Sequence, residues 1–423
     1  MMITRDKPIS NILSIKLGDI IHTTVICFYV LFDSINGFFI GTLGVHLPIS
    51  VSIKLLILSM SLMVVLRCKA KLTSFLSIVL VFVVPIIIRS ILFSQDYFLL
   101  ELNYVLKYVS FLIFVYYFYD YYSRVKDCYK IFYRMVYISY VIVVLNVSLG
   151  FIGVGGYTYP NTNTGFKGFF IAGNELSALF ILFTILIYGK FIEAGQWVVS
   201  SLFMLFSIFI SICIGTKSSI LLLTLTFVLY PLYAKLIIGQ WKSSIKLFIM
   251  LLFSIVLFGG VFYQFGSIIQ TISTIERVLY KLDSHDVINA IFSGREIWLS
   301  MYINYLYEHG VSQSIYLSMI FGPGFYFSTK ATQGKLLIES DLVDLYSLSG
   351  LIGMSVVIVI TVYFACIIFS SRDKLKFWKE ALYVHLALTF IAVFFGHVWT
   401  SGMLSVAYAS VIGLSFSQRV GKC

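Results

Sequence analysis

Apolar runs long enough to cross a bilayer recur along this chain, separated by short polar connections. A crossing helix needs roughly 20 predominantly apolar residues. Runs of about that length fall at about 18–40, 50–66, 73–93, 98–119, 131–153, 169–189, 197–215, 219–239 and 245–265. One long polar excursion follows, over 266–341, and then three further runs at about 342–369, 378–396 and 400–417. The pattern predicts an all-α polytopic transmembrane bundle of about twelve spans, a single integral membrane domain over 1–423 with one large loop between spans nine and ten. Inside that loop Ile268, Ile272, Ile275, Leu279 and Leu282 recur at helical spacing, with Glu276, Arg277 and Lys281 between them. That spacing predicts an amphipathic helix lying on the membrane surface or capping the bundle.

Composition strengthens this reading. The chain is 60% hydrophobic and 12% charged, against about 25% charge in an average globular chain. The lipid bilayer is therefore the expected surroundings. A formal net charge of +11 points to nucleic acid only if its position is ignored. With the N-terminus inside, Arg5, Lys7 and Lys16, Arg67, Lys69 and Lys71, Arg124, Lys126, Lys130 and Arg134, Lys190, Lys235, Lys242 and Lys246, Arg372, Lys374, Lys376 and Lys379, and Arg419 and Lys422 all fall on one side. The short loops near 41–50, 94–97 and 397–401 carry no Lys or Arg. The positive-inside rule then places both termini in the cytoplasm and the long loop outside, with no nucleic-acid partner implied. The first apolar run is longer than a signal-peptide core and lacks a small-residue cleavage site, so it reads as a retained span. The six cysteines show no CxxC spacing and none lies in the long loop, which suits small apolar fillers better than a disulfide framework or a zinc site.

Candidate chemistry gathers in the outer segments. Residues 153–168 read GVGGYTYPNTNTGFKG. Tyr157, Tyr159 and Phe166 suit stacking on sugar rings, or the stretch is an ordinary turn-rich connection. Asn174 and Glu175 open the next span, where a carboxylate either complements the helix dipole or serves as an ionisable group at the membrane edge. Lys217, within Gly215-Thr216-Lys217-Ser218-Ser219, lies at an outer helix junction, where it either snorkels or shares an anion with free helix N–H groups. In the long loop, Ser293-Gly294-Arg295-Glu296 has capping-box form. It places Arg295 in a helical first turn, which disfavours a lone cation by about 0.3–1 kcal/mol but favours a guanidinium that shares an anion with the helix end. Gly322-Pro323-Gly324 predicts a sharp turn. Glu339, Asp341 and Asp344 crowd the outer end of the tenth span, where like charges raise one another's pKa and make one of them a usable base. Gly350 and Gly353 suit close helix packing. Asp283, His285 and Asp286 form at most a weak metal set.

Taken together, GNELS at 173–177, TKSS at 216–219, Gly294-Arg295-x-x-Trp298, Gly322-x-Gly324 and the acidic segment 339–344 before Gly350-x-x-Gly353 resemble the Wzy-type O-antigen polymerases of the O-antigen ligase-like family. The resemblance extends over nearly the whole chain through span count and loop placement, although each motif is short. It implies an inner-membrane enzyme that joins oligosaccharide repeat units carried on undecaprenyl diphosphate, on the periplasmic face, by inverting glycosyl transfer. It implies no metal and no cofactor, and a chain-length regulator and a flippase of the same pathway as partners. It assigns Arg295 and Lys217 to the lipid diphosphate. Asn174, Glu175, Tyr157, Tyr159 and Trp298 are the further substrate-binding candidates. Ligase-type members carry a His-Asn pair where this chain has Ser340-Asp341, a departure that favours polymerase over ligase. It leaves Glu339 and Asp341 as candidate bases, with Asp341 alternatively capping the returning helix. The rival expectations are a ligase that transfers glycan to lipid A-core, a lipid-linked oligosaccharide transporter, which should show internal symmetry, and a non-catalytic scaffold.

Overall fold

The computed structural model describes residues 9–47, 49–66, 69–92, 97–125, 127–238, 295–309, 319–372 and 375–419. Numbered in chain order, its helices are α1 (Ile9–Leu43), α2 (Ile49–Leu66), α3 (Lys69–Leu92), α4 (Phe98–Arg124), α5 (Cys128–Phe151), α6 (Gly173–Glu193), α7 (Trp197–Ile214) and α8 (Lys217–Ile238). They continue with α9 (Arg295–His309), α10 (Gly324–Ala331), α11 (Asp341–Ser370), α12 (Trp378–Phe394) and α13 (Leu404–Arg419). Seven of them, α1, α4 to α8 and α11, are long and apolar enough to cross a membrane. Parts of α2, α3 and α13 are shorter apolar helices. By helix length and composition this is a multi-pass membrane protein. Each expected span but the ninth falls on a helix. The ninth, at 245–265, lies outside the described residues, as do the surface helix expected from Ile268 to Leu282, the Asp283–Asp286 set and the Ser293-Gly294 cap.

Helix α6 sits at the centre, packed by α5, α7, α8, α12 and α13, and nearly all of its side chains from Leu176 to Gly189 are buried. Large apolar side chains point outward elsewhere, such as Leu99 on α4 and Leu202 on α7, as a bilayer-facing surface requires. Helices α4 and α13 approach closely at Gly413, where a Cβ would stand 2.5 Å from that of Phe118.

The expectation of an all-α fold needs one amendment. Residues 153–168 are not a loose connection. Strands β1 (Gly156–Tyr159) and β2 (Thr164–Gly168) pair antiparallel, with Tyr157 opposite Phe166 and Tyr159 opposite Thr164. The hairpin docks on the end of α7: Thr158 Oγ1 donates to the Ile214 carbonyl at 2.7 Å, and a Cβ at Gly165 (φ +67°) would lie 2.3 Å from that oxygen. Only glycine tolerates this combination of positive φ and backbone contact.

The Gly-Pro-Gly turn is present, and a buried ion pair holds it. Arg89 on α3 and Glu101 on α4 meet at 2.7 Å. Arg89 also donates to the carbonyls of Phe321 and Gly322, at 2.6 and 3.2 Å, while Glu101 accepts from the Phe325 N–H at 2.7 Å. The turn packs into a break in α11 at Gly350 (φ 62°, ψ −160°). Gly350 is therefore a kink that receives the 320–322 backbone, where a Cβ would come within 2.2 Å of the Ile320 carbonyl, rather than a helical glycine at a packing seam.

Removing one partner of a buried ion pair costs about 3–5 kcal/mol, whereas an exposed pair contributes about 0–1 kcal/mol. Thermal unfolding in detergent should therefore show Glu101→Ala strongly destabilised, with Arg89 left uncompensated. Asp120→Ala, which breaks the exposed 2.8 Å pair with Arg124, should be nearly silent. Comparable losses would show that Arg89 and Glu101 do not anchor the turn.

Candidate functional site

At one end of the bundle, six separate stretches of chain converge. The hydroxyls of Ser177, Thr216, Ser219 and Ser211 form a buried chain, with Ser177–Thr216 at 2.6 Å and both Thr216–Ser219 and Ser211–Ser219 at 2.8 Å. It ties the start of α6 to the α7–α8 junction, so the GNELS and TKSS segments touch. Gly215 (φ 82°) ends α7 in the left-handed conformation, and α8 begins at once with Lys217. Asn174 is thereby set beside Lys217 and Ser218.

From the long loop, α9 opens with Arg295 in its first turn, as the sequence predicts. Arg295 Nη2 lies 3.0 Å from Glu339 Oε2, and Lys335 Nζ lies 3.0 Å from Glu339 Oε1. The Lys335 ammonium also sits over the Trp298 ring, 2.9 Å from its centroid, a cation–π contact. Glu339 is held in the left-handed region (φ 66°), and Gly396 packs against its backbone: a Cβ there would stand 2.4 Å from the Glu339 carbonyl oxygen.

These groups surround a cavity of about 180 Å³, lined by Tyr159, Asn174, Thr216, Lys217, Ser218, Arg295, Trp298, Glu339, Ile391, Phe395 and Gly396. Six of the residues singled out from the sequence thus share one space. Three do not. Tyr157 is 39% exposed and faces Phe166 at 5.8 Å. Glu175 accepts from Ser401 Oγ at 2.6 Å, joining α6 to the segment before α13. Asp341, the second candidate base, is sequestered. It is 1% exposed, and its carboxylate accepts from the N–H groups of His397 at 2.8 Å, Val398 at 2.8 Å and Trp399 at 2.9 Å. Asp341 therefore fastens the 397–399 turn instead of lining the cavity. Asp344 likewise faces the backbone, accepting from the Ile338 N–H at 2.8 Å.

Burial pushes the Glu339 carboxyl up, but the hydrogen bond and charge of Lys335, followed by the charges of Arg295 and His397, outweigh it and hold the group below the usual 4.5. Burial, joined by the charge of Arg295, lowers the Lys335 ammonium despite the opposing hydrogen bond and charge of Glu339. The cavity therefore presents cations around an ionised carboxylate. Lys335, Gly396 and His397 were missed by sequence reasoning. The signal for His397 was its position in the short connection between α12 and α13. Lys335 had none beyond its spacing of four from Glu339. A second, apolar cavity of about 370 Å³ adjoins the first and shares Arg295, with Leu299, Ile338, Leu342, Val343 and Phe394 among its walls. Both carboxylate oxygens of Glu296, which also borders it, are buried without a hydrogen bond among the described residues.

Two stability outcomes follow. A glutamate whose folded pKa is depressed adds stability above its unfolded value and loses it as pH falls through the folded value. In pH-dependent thermal melts, wild type should lose its advantage over Glu339→Gln only below about pH 4.5; an advantage lost nearer neutrality would contradict the ion-pair geometry. Asp341→Asn places an NH₂ group against backbone donors and removes charge from the remaining bonds, so it should cost about 2 kcal/mol or more in the same assay. A silent Asp341→Asn would mean that the turn holds itself. No protein-family model matches the chain, and no curated protein matches it.

Proposed function

We propose that this chain is a Wzy-type repeat-unit polymerase, joining undecaprenyl-diphosphate-linked oligosaccharides into O-antigen or a related surface polysaccharide. One observation carries the reading. Arg295, Lys217, Asn174, Tyr159, Trp298 and Glu339, drawn from segments far apart in the chain, line one polar cavity beside an apolar one. A lipid diphosphate needs that pair of environments: cations for the phosphates and an apolar wall for the first isoprene units. Every contributing segment is also one that the Lys/Arg distribution assigns to the outer side. In this reading the chain crosses the inner membrane about twelve times, both termini are cytoplasmic, and the 266–341 loop is periplasmic.

In the proposed reaction the acceptor sugar hydroxyl attacks the anomeric carbon of the donor from the face opposite the diphosphate. The new C–O bond forms as the bond to the phosphate oxygen breaks, inverting the centre. Undecaprenyl diphosphate leaves with the bonding pair. Arg295, Lys217 and Lys335 stabilise the charge that grows on it, and the acceptor proton passes to Glu339. The ion pairs give Glu339 a second property. While Arg295 and Lys335 hold it, it is a weak base. A bound diphosphate competes for both cations, and their withdrawal raises the basicity of Glu339 when the acceptor is present. His397, in the neighbouring 397–399 turn and close enough to influence Glu339, is a second proton acceptor in its neutral form only. A flippase to deliver the lipid-linked units and a chain-length regulator complete the expected partners. Transfer to lipid A-core by a ligase is the runner-up.

Deletion followed by electrophoresis of surface polysaccharide separates the classes. Loss of a polymerase leaves one capped repeat. Loss of a ligase leaves none, and loss of a flippase leaves none while stranding intermediates inside. On the same gel Arg295→Ala, Arg295→Lys and Glu339→Gln should each lower chain extension by about a hundredfold or more, with the protein retained in the membrane. Lys does not reproduce the planar fork of Arg, so a fully active Arg295→Lys would reduce the role to generic charge. Normal chain lengths in Glu339→Gln would move the base to His397 or to the departing diphosphate, which His397→Gln then decides.

Sidedness has its own check. Reporter fusions at Ser123, Gln240 and Ser371 should read cytoplasmic, and those at Asn163 and Gln313 periplasmic. A cytoplasmic signal at Gln313 would remove the site from the compartment where the substrate is presented.

A further inference from the structure

A larger cavity lies at the other end of the same helices. Helix α6 begins beside the Arg295 cavity, with Asn174, and ends at a cavity of about 650 Å³, with Lys190 and Glu193. The start of α5 and the segment just before α12 close its other sides. We propose that this cavity binds the phosphodiester headgroup of an anionic phospholipid.

Charge is the first observation. Lys130, Arg134, Lys190 and Lys376 line the space, against one carboxylate, Glu193. Glu193 is drawn towards Lys379, 4.0 Å away, so the lining as a whole is cationic. The cations are also held in place. Lys190 Nζ lies 4.3 Å from the Tyr133 centroid and 5.1 Å from that of Tyr137, and such contacts orient an ammonium towards one region. Lys130 and Arg134 are four apart on α5 and share a face. The Lys376 backbone N–H donates to Tyr129 Oη at 3.2 Å, which fixes the segment before α12 on the start of α5.

The second observation selects lipid over a soluble phosphate. The α5 face that carries Arg134 and Ile138 continues through Val141 and Leu145, which are 52% and 57% exposed. An apolar stripe therefore runs from the cationic cavity along a helix long and apolar enough to span the membrane. A headgroup in the cavity leaves its acyl chain on that stripe, an arrangement that a water-soluble anion has no use for. Basic pockets between membrane helices recognise acidic headgroups through this combination. The proposal does not depend on the polymerase reading.

The test uses the full chain, purified, stripped of lipid and held in detergent. Binding of dioleoyl phosphatidylglycerol, dioleoyl phosphatidylcholine and glycerol phosphate is followed by native mass spectrometry and by the shift in melting temperature. Phosphatidylglycerol should bind at least about tenfold more tightly than phosphatidylcholine. Glycerol phosphate should bind far more weakly and fail to displace it. The preference should disappear in the Lys130→Gln/Arg134→Gln double variant and weaken in Lys190→Gln. Arg295→Ala should keep it, so that loss of polymer and loss of lipid binding are told apart. Equal binding of the two lipids by wild type, which needs no variant to fold, would overturn the proposal. So would a preference that survives in a folded double variant. Glycerol phosphate binding as tightly as phosphatidylglycerol would also overturn it, making this a soluble-phosphate site.

Discussion

The site depends on one buried carboxylate. Asp341 opens α11 and accepts the N–H groups of His397, Val398 and Trp399, joining the start of one helix to the turn after another. Charge-assisted hydrogen bonds of this kind are roughly twice as strong as neutral ones. Here they fasten the turn on which Gly396 and His397 sit. With the turn fixed, Gly396 presses on the Glu339 backbone and Ser340 Oγ donates to the Val393 carbonyl at 2.7 Å. Glu339, Gly396 and His397 all have positive φ, at 66°, 66° and 62°. For the two non-glycine residues this conformation is costly, and it persists because the Asp341 contacts over-determine it.

The same logic appears at the Gly-Pro-Gly turn. An irregular stretch of backbone deep in a membrane protein must find internal partners for its polar groups. Arg89 and Glu101 supply them, and the kink at Gly350 makes the room. This turn binds the long loop to the bundle, while the ion-pair set of Arg295, Lys335 and Glu339 ties the start of α9 to the stretch just before α11. The first is shielded from solvent and acts as an anchor. The second borders a cavity and is open to competition from an anion, which is what a binding site requires and an anchor does not.

The two ends of the bundle differ in kind. Both concentrate cations and aromatic rings, but the Arg295 cavity encloses an ionised glutamate among its cations, while the Lys190 cavity holds its glutamate at the edge beside Lys379. The first suits chemistry in which charge moves and a proton changes hands. The second suits static recognition of a permanent anion. Helix α6, buried along most of its length, is the rigid element common to both.

The sequence by itself determined that the chain is a helical membrane protein, because span-length apolar runs are a local property that the bilayer enforces on each segment separately. It also singled out Arg295, Lys217, Asn174, Tyr159, Trp298 and Glu339, since polar and charged groups are conspicuous against an apolar chain. What only the tertiary structure decided was how these groups divide their tasks. Glu339 and Asp341 are two residues apart and chemically alike, yet one faces a cavity and the other a backbone turn, because Arg295 of α9 reaches the first and the turn after α12 reaches the second. Gly396 and His397 were invisible for the same reason: their relation to Glu339 is set by packing, not by spacing, and Lys335 offered only a spacing of four across irregular backbone. The hairpin at 156–168 escaped notice because its glycines look like loop residues until the end of α7 is brought against them. Gly350 looked like a packing glycine because nothing local says that another turn of backbone will occupy the break.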